Sequence, residues 1–89
     1  MEKDHRRSDI EIISELIRNS NEPIKKFALG RRSSLSTATL DKYLEKTIFS
    51  GLIAYDSEKG VYQATDKGKN ALSIFYKVTE LTGKNRSSP

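Results

Sequence analysis

The stretch from Leu35 to Ala54, LSTATLDKYLEKTIFSGLIA, constrains the fold more than any other part of the chain. Ser36 is placed to cap a helix from Thr37 to about Ser50, its hydroxyl accepting a backbone N–H near Thr39 that has no partner in a first helical turn. Leu40, Tyr43, Leu44, Thr47 and Ile48 recur at spacings of three and four and form one stripe to be buried. Ala38, Asp41, Lys42, Glu45 and Lys46 fall on the other side, toward solvent or a partner, and Phe49 also points outward. Gly51 suits the left-handed residue that ends a helix, and Leu52 to Tyr55 then reads as a short extended run.

Composition narrows what such a helix can serve. Eighty-nine residues make one domain with a small core, and with 31% charged against 35% hydrophobic residues the chain reads as a soluble one. No run of about 18 apolar residues is present to span a membrane, and MEKDHRRSDI lacks the apolar centre of a secretory signal. The absence of cysteine excludes disulfides and cysteine-ligated zinc and fits an intracellular protein. A formal net charge of +4 favours a polyanionic partner. Catalysis finds little support: the single histidine stands in the N-terminal tail, carboxylates do not cluster, and the five glycines are too dispersed for a phosphate-binding loop. The four tyrosines have no neighbouring base that the sequence identifies. No metal site, cofactor or small-molecule ligand is expected.

Residues 1–7 read as a solvated tail, with contact of His5-Arg6-Arg7 to a phosphate backbone as the second reading, and 83–89 as another tail, leaving one domain over 8–82. Ser8 with Glu11 has the spacing of a capping box and opens a first helix. Ile10, Ile13 and Ile17 share one face of it, and Ile12 and Leu16 widen that face. Asn19-Ser20-Asn21 ends it. Glu22-Pro23 is expected to open a second, shorter helix with Ile24, Phe27 and Ala28 or Leu29 inward and Gly30 at its close. Arg31-Arg32-Ser33-Ser34 would then form the turn into the helix at 37–50. From Pro23 to Leu40 there are four cations, Lys25, Lys26, Arg31 and Arg32, and no acid, which favours contact with phosphates.

Leu52 to Asp56 and Val61 to Ala64 alternate as an antiparallel hairpin, with Gly60 available for positive φ in the turn. Lys59 is the single cation there, opposed by Asp56 and Glu58, and with Ser33 and Ser34 of the turn before the helix at 37–50 it joins the residues expected at the DNA backbone. Thr65 or Asp66 caps a last helix to about Leu81 or Thr82, on which Leu72 and Phe75 close the core. Ala71, Ile74, Val78 and Leu81, spaced 3, 4, 3, make a short seam on a second side. Ile74, Val78 and Leu81 are therefore expected to pair two copies of the chain, with 65–82 as the dimerisation helix.

The order helix, glycine stop, strand, charged turn, strand is that of a winged helix-turn-helix, an α+β, mostly helical fold of three helices, a β-hairpin wing and a C-terminal helix. RRSDIEIISELI, LSTATLDKYLEKTIFSGLI and VYQATDKGKNAL, in this order, resemble small archaeal winged-helix DNA-binding proteins, including a chromatin-associated group that dimerises through the final helix. The resemblance covers about residues 6–81. It implies double-stranded DNA as partner, read through the major groove by the helix at 36–50, with Ser36, Thr37, Thr39, Lys42 and Lys46 at or near DNA. A transcriptional regulator or chromatin-architectural protein, cytoplasmic and nucleoid-associated, follows from it, and usually a homodimer. The competing reading is a winged-helix module whose exposed helix and seam bind protein.

Overall fold

The structure, a computed structural model, describes residues 7–82, apart from the side chains of Thr79, Leu81 and Thr82. Most of both tails thus lies outside the described residues. Seven elements follow in order: α1 (Asp9–Asn19), β1 (Ile24–Lys25), α2 (Lys26–Ser33), α3 (Thr37–Phe49), β2 (Ile53–Asp56), β3 (Val61–Ala64) and α4 (Asp66–Thr82). Helices predominate, beside one antiparallel sheet in the order β1-β3-β2.

Local chemistry sets most boundaries. The Ser8 hydroxyl accepts the Glu11 N–H at 3.2 Å while the Glu11 carboxylate accepts the Ser8 N–H at 2.9 Å, a closed capping box. Ser36 caps α3 through the Thr39 N–H. Thr65 caps α4: its oxygen accepts the Gly68 N–H at 3.0 Å and its hydroxyl lies 2.6 Å from the Gly51 carbonyl, tying the helix start to the loop after α3. Gly51 and Gly60 both take positive φ, the first ending α3 and the second closing the β2–β3 turn.

The second helix differs from expectation. Ile24 and Lys25 are extended and pair with Tyr62 and Val61 of β3, so helix formation waits until Lys26. Gly30 does not close α2 but sits buried within it, where a Cβ would come within 2.9 Å of Leu40 Cδ2. Arg31 and Arg32 thus belong to the last helical turn rather than to a loop. The stop falls at Ser34, left-handed at φ 57°, and the Leu35 N–H returns to the Gly30 carbonyl at 3.0 Å. Shifting the helix by three residues turns Phe27 outward, 76% exposed, while Leu29 takes the fully buried place.

The core is one cluster fed by every layer: Ile12, Leu16 and Ile17 from α1, Leu29 from α2, Leu40, Tyr43 and Leu44 from α3, and Ile53 and Ala64 from the hairpin. Leu72 of α4 packs on its edge. Thr47 is buried within the α3 stripe and its hydroxyl donates to the Leu44 carbonyl, which satisfies a polar group on an apolar face. Ile48 leaves the expected stripe and is 40% exposed. Among the described residues no helix is long and apolar enough to cross a membrane.

Candidate nucleic-acid interface

The exposed arc of α3 is built by the burial of its opposite face. With Leu40, Tyr43, Leu44 and Thr47 committed to the core, Ala38, Asp41, Lys42, Glu45, Lys46 and Phe49 are turned to solvent. Phe49 is 92% exposed.

The two flanks of this arc differ in charge. On the α1 side, the Lys42 and Lys46 ammonium groups lie 5.4 and 5.6 Å from the centroid of the Tyr43 ring, within range of cation–π attraction. The Tyr43 hydroxyl donates to the Asp9 carboxylate at the start of α1, which fixes the ring between the helices. That hydrogen bond holds the Tyr43 hydroxyl above the usual phenol range, with burial acting in the same sense. Close by in the sequence of contacts, the Arg7 guanidinium donates to the Ser34 carbonyl at 3.1 Å, so the chain entering α1 is tied to the turn before α3. On the other flank, Lys26 pairs with Asp41 at 2.5 Å, and its ammonium is held above its ordinary value mainly by that hydrogen bond.

The residues expected at a phosphate surface are only partly brought together. Thr37 is exposed and Thr39 half-buried, and the Ser36 hydroxyl is shared between the Thr39 N–H and the Thr39 hydroxyl. Arg31 and Arg32 point to different places. Arg31 borders the hollow between α2 and α3 with Phe27, Leu35 and Thr37, its guanidinium 5.8 Å from the Phe27 centroid. Arg32 instead borders a hollow with Arg18, Asn19 and Glu22, toward the end of α1. Ser33 is buried and accepts from the Asn19 amide at 3.1 Å, which occupies its hydroxyl inside the fold; Ser34 is exposed. Lys25 donates to the Lys59 carbonyl at 3.2 Å and so braces the hairpin turn, while Lys59 itself is exposed.

Of the expected pairing surface, Ile74 is 62% and Val78 51% exposed, and Leu81 lies outside the described side chains. Both exposed residues border an apolar groove of about 590 Å³ between α1 and α4, together with Ile10, Ile13, Ile17 and Phe75. Ile10, which the spacing groups with Ile13 and Ile17 on one face of α1, is 54% exposed.

Two further contacts escape a reading of the sequence. Arg7 falls in a stretch that reads as a tail, and Asp41 reads as an outward acid; their partners stand 27 positions away for Arg7 and across the helix-turn-helix for Asp41. The local signal for the second is the run from Pro23 to Leu40, where four cations stand without an acid.

This arrangement offers hydrogen-bond donors, cations and one exposed helix face between the basic end of α2 and a β-hairpin. No curated protein matches the chain significantly. A family model described as winged helix-turn-helix matches residues 6–83, nearly the whole of it. With the expected order of helices and hairpin in place around an exposed third helix, the chain belongs to the winged helix-turn-helix family.

Proposed function

We propose that the protein binds double-stranded DNA without catalysing a reaction, presenting α3 to the major groove, as a transcriptional regulator or architectural protein of the nucleoid. The observation that supports this best is the exposed arc of α3 carrying Lys42 and Lys46, with Arg31 beside its N-terminal end. Lys42 is suited to donate to guanine O6 and N7, and Thr37 or Thr39 to meet a thymine methyl or a phosphate. Lys46 and Arg31 suit the flanking phosphates. A fluorescence titration with short duplex DNA at several salt concentrations tests the reading. Affinity should fall linearly on a log–log plot against salt, with the slope reporting the number of phosphate contacts. An absence of salt-dependent binding at low micromolar protein would favour the second reading, a protein-binding module, to which the exposed Phe27 and Phe49 lend support.

The same account includes a homodimer. Ile74 and Val78 of α4 and Ile10 of α1 are exposed around one apolar groove, and residues 1–6 and 83–89 carry no apolar stripe to fill it. Burying a large aliphatic side chain contributes roughly 1.5–3 kcal/mol relative to exposure, so two copies gain by laying α4 against the groove across a two-fold axis. Such a dimer would favour paired half-sites, about 34–36 Å apart if it follows other helix-turn-helix dimers. Sedimentation equilibrium at tens of micromolar should give twice the 10.1 kDa chain mass, and Ile74→Glu should return it to one. Because Ile74 is exposed in the single chain, its helical circular dichroism should survive the change. A wild-type monomer at that concentration would remove the dimer from the account.

A further inference from the structure

An acid on a surface that meets a polyanion weakens binding to every sequence, so the carboxylates on the exposed arc of α3 call for a reason. Glu45 and Asp41 both stand there, and among the described residues Asp41 is the one given a cation from another element. Lys26, the first residue of α2, brings Nζ to 2.5 Å from Asp41 Oδ1 across the helix-turn-helix. Both side chains remain about half exposed, 44% for Lys26 and 53% for Asp41, so the pair lies at the surface rather than in the core. A pair this exposed contributes little to stability, and the two helices are already joined by Leu29, Leu40 and Gly30. What the bridge does is fix the position of one carboxylate on the reading helix and cancel its charge.

A carboxylate only accepts hydrogen bonds, and one ion pair leaves it further acceptor capacity. Of the base edges in the major groove, cytosine and adenine present amino donors, N4 and N6, but adenine sets the N7 acceptor beside its amino group, which repels a carboxylate, whereas guanine offers the O6 and N7 acceptors and thymine the O4 acceptor. We infer that Asp41 is a specificity-determining residue, a charge-compensated acceptor on α3 that selects a C·G pair by taking a hydrogen bond from cytosine N4. This rests on the reading of α3 as the DNA-facing helix. Lys26 is then a positioning residue: it holds Asp41 and offsets its repulsion from phosphates.

The test is selection from a randomised duplex pool followed by titration of single-position variants, with thermal melting to confirm that each protein is folded. Wild type should prefer C at one position by roughly tenfold or more. Asp41→Ala should lose that preference while binding the disfavoured duplexes more tightly, since a negative charge has gone. Asp41→Asn should move the preference toward adenine, whose N6 and N7 match an amide. Lys26→Gln should weaken binding to all duplexes and also reduce the preference for C, because Asp41 loses the cation that holds it. A change on Asp41→Ala that is uniform over all duplexes, with the base profile of wild type retained, would reduce the bridge to a staple and overturn the inference while leaving DNA binding by α3 intact. A wild type that binds duplexes with no base preference would do the same. Failure of wild type to bind any duplex would overturn both readings together.

Discussion

Alanine in place of Gly68 is expected to cost the fold about 3 kcal/mol, at the upper end of what overpacking usually does. A Cβ at this position would sit 2.1 Å from the Leu52 carbonyl oxygen and 3.1 Å from its carbon. Those atoms are backbone, so no change of rotamer relieves the clash. The carbonyl is also held in place by the Thr65 N–H at 3.0 Å and contacted by the Thr65 hydroxyl at 3.2 Å. Either α4 moves away from the loop after α3 or these contacts break. Alanine's better helix propensity offsets only about 1 kcal/mol. For a domain of this size, 3 kcal/mol corresponds to a fall in Tm of roughly 12–24 °C, readable in a circular-dichroism melt. An unchanged Tm would mean that α4 does not start this close to Leu52.

The second large effect is on binding. Replacing Arg31 and Lys46 together by alanine should reduce the slope of log affinity against log salt by about 1.8, at 0.9 for each lost phosphate contact. At 0.1 M salt that amounts to roughly a 60-fold loss, equal for all duplexes because phosphates carry no sequence. Arg32→Ala should move the slope much less, since Arg32 borders the hollow beside Arg18 and Glu22 rather than the one between α2 and α3. All three arginine and lysine side chains concerned are exposed, so melting temperatures should stay near that of wild type. An Arg32 effect as large as that of Arg31 would show that DNA reaches further round α2 than the geometry implies. An unchanged slope in the double variant would take α2 and the end of α3 off the phosphate track.

What the sequence makes legible is what neighbours in the chain decide. Ser36 and its Thr39 N–H, the Ser8–Glu11 box, Gly51 and Gly60 all act within four residues, and each sits where its local chemistry puts it. The second helix departs from its local signals for the opposite reason. Pro23 and Gly30 look like a helix start and stop, yet β1 exists only because β3, nearly forty residues on, supplies its partners Tyr62 and Val61. Gly30 is small because Leu40 of α3 presses on it, and the left-handed stop is made by Ser34, a residue that rarely signals one. Phe27 follows from that shift. The candidate site shows the same division. Outward positions on α3 can be read from periodicity, which places Lys42, Lys46 and Phe49 correctly, but Ile48 stands at the edge of the stripe and periodicity alone puts it on the wrong side. Which cations are already engaged is tertiary information. Lys26 with Asp41, Lys25 with the Lys59 carbonyl and the burial of Ser33 under Asn19 have no signature in the order of residues.

The central claim is that the exposed arc of α3, with the last turn of α2, is the surface that meets duplex DNA. The most direct measurement is a backbone amide NMR titration of the full chain with a short duplex. The account predicts the largest shifts at Ser36 to Lys46 and at Arg31, a smaller set at Lys59 in the hairpin turn, and little change at Ile10, Ile74 and Val78 around the α1–α4 groove. Shifts concentrated at that groove, with α3 unmoved, would contradict it.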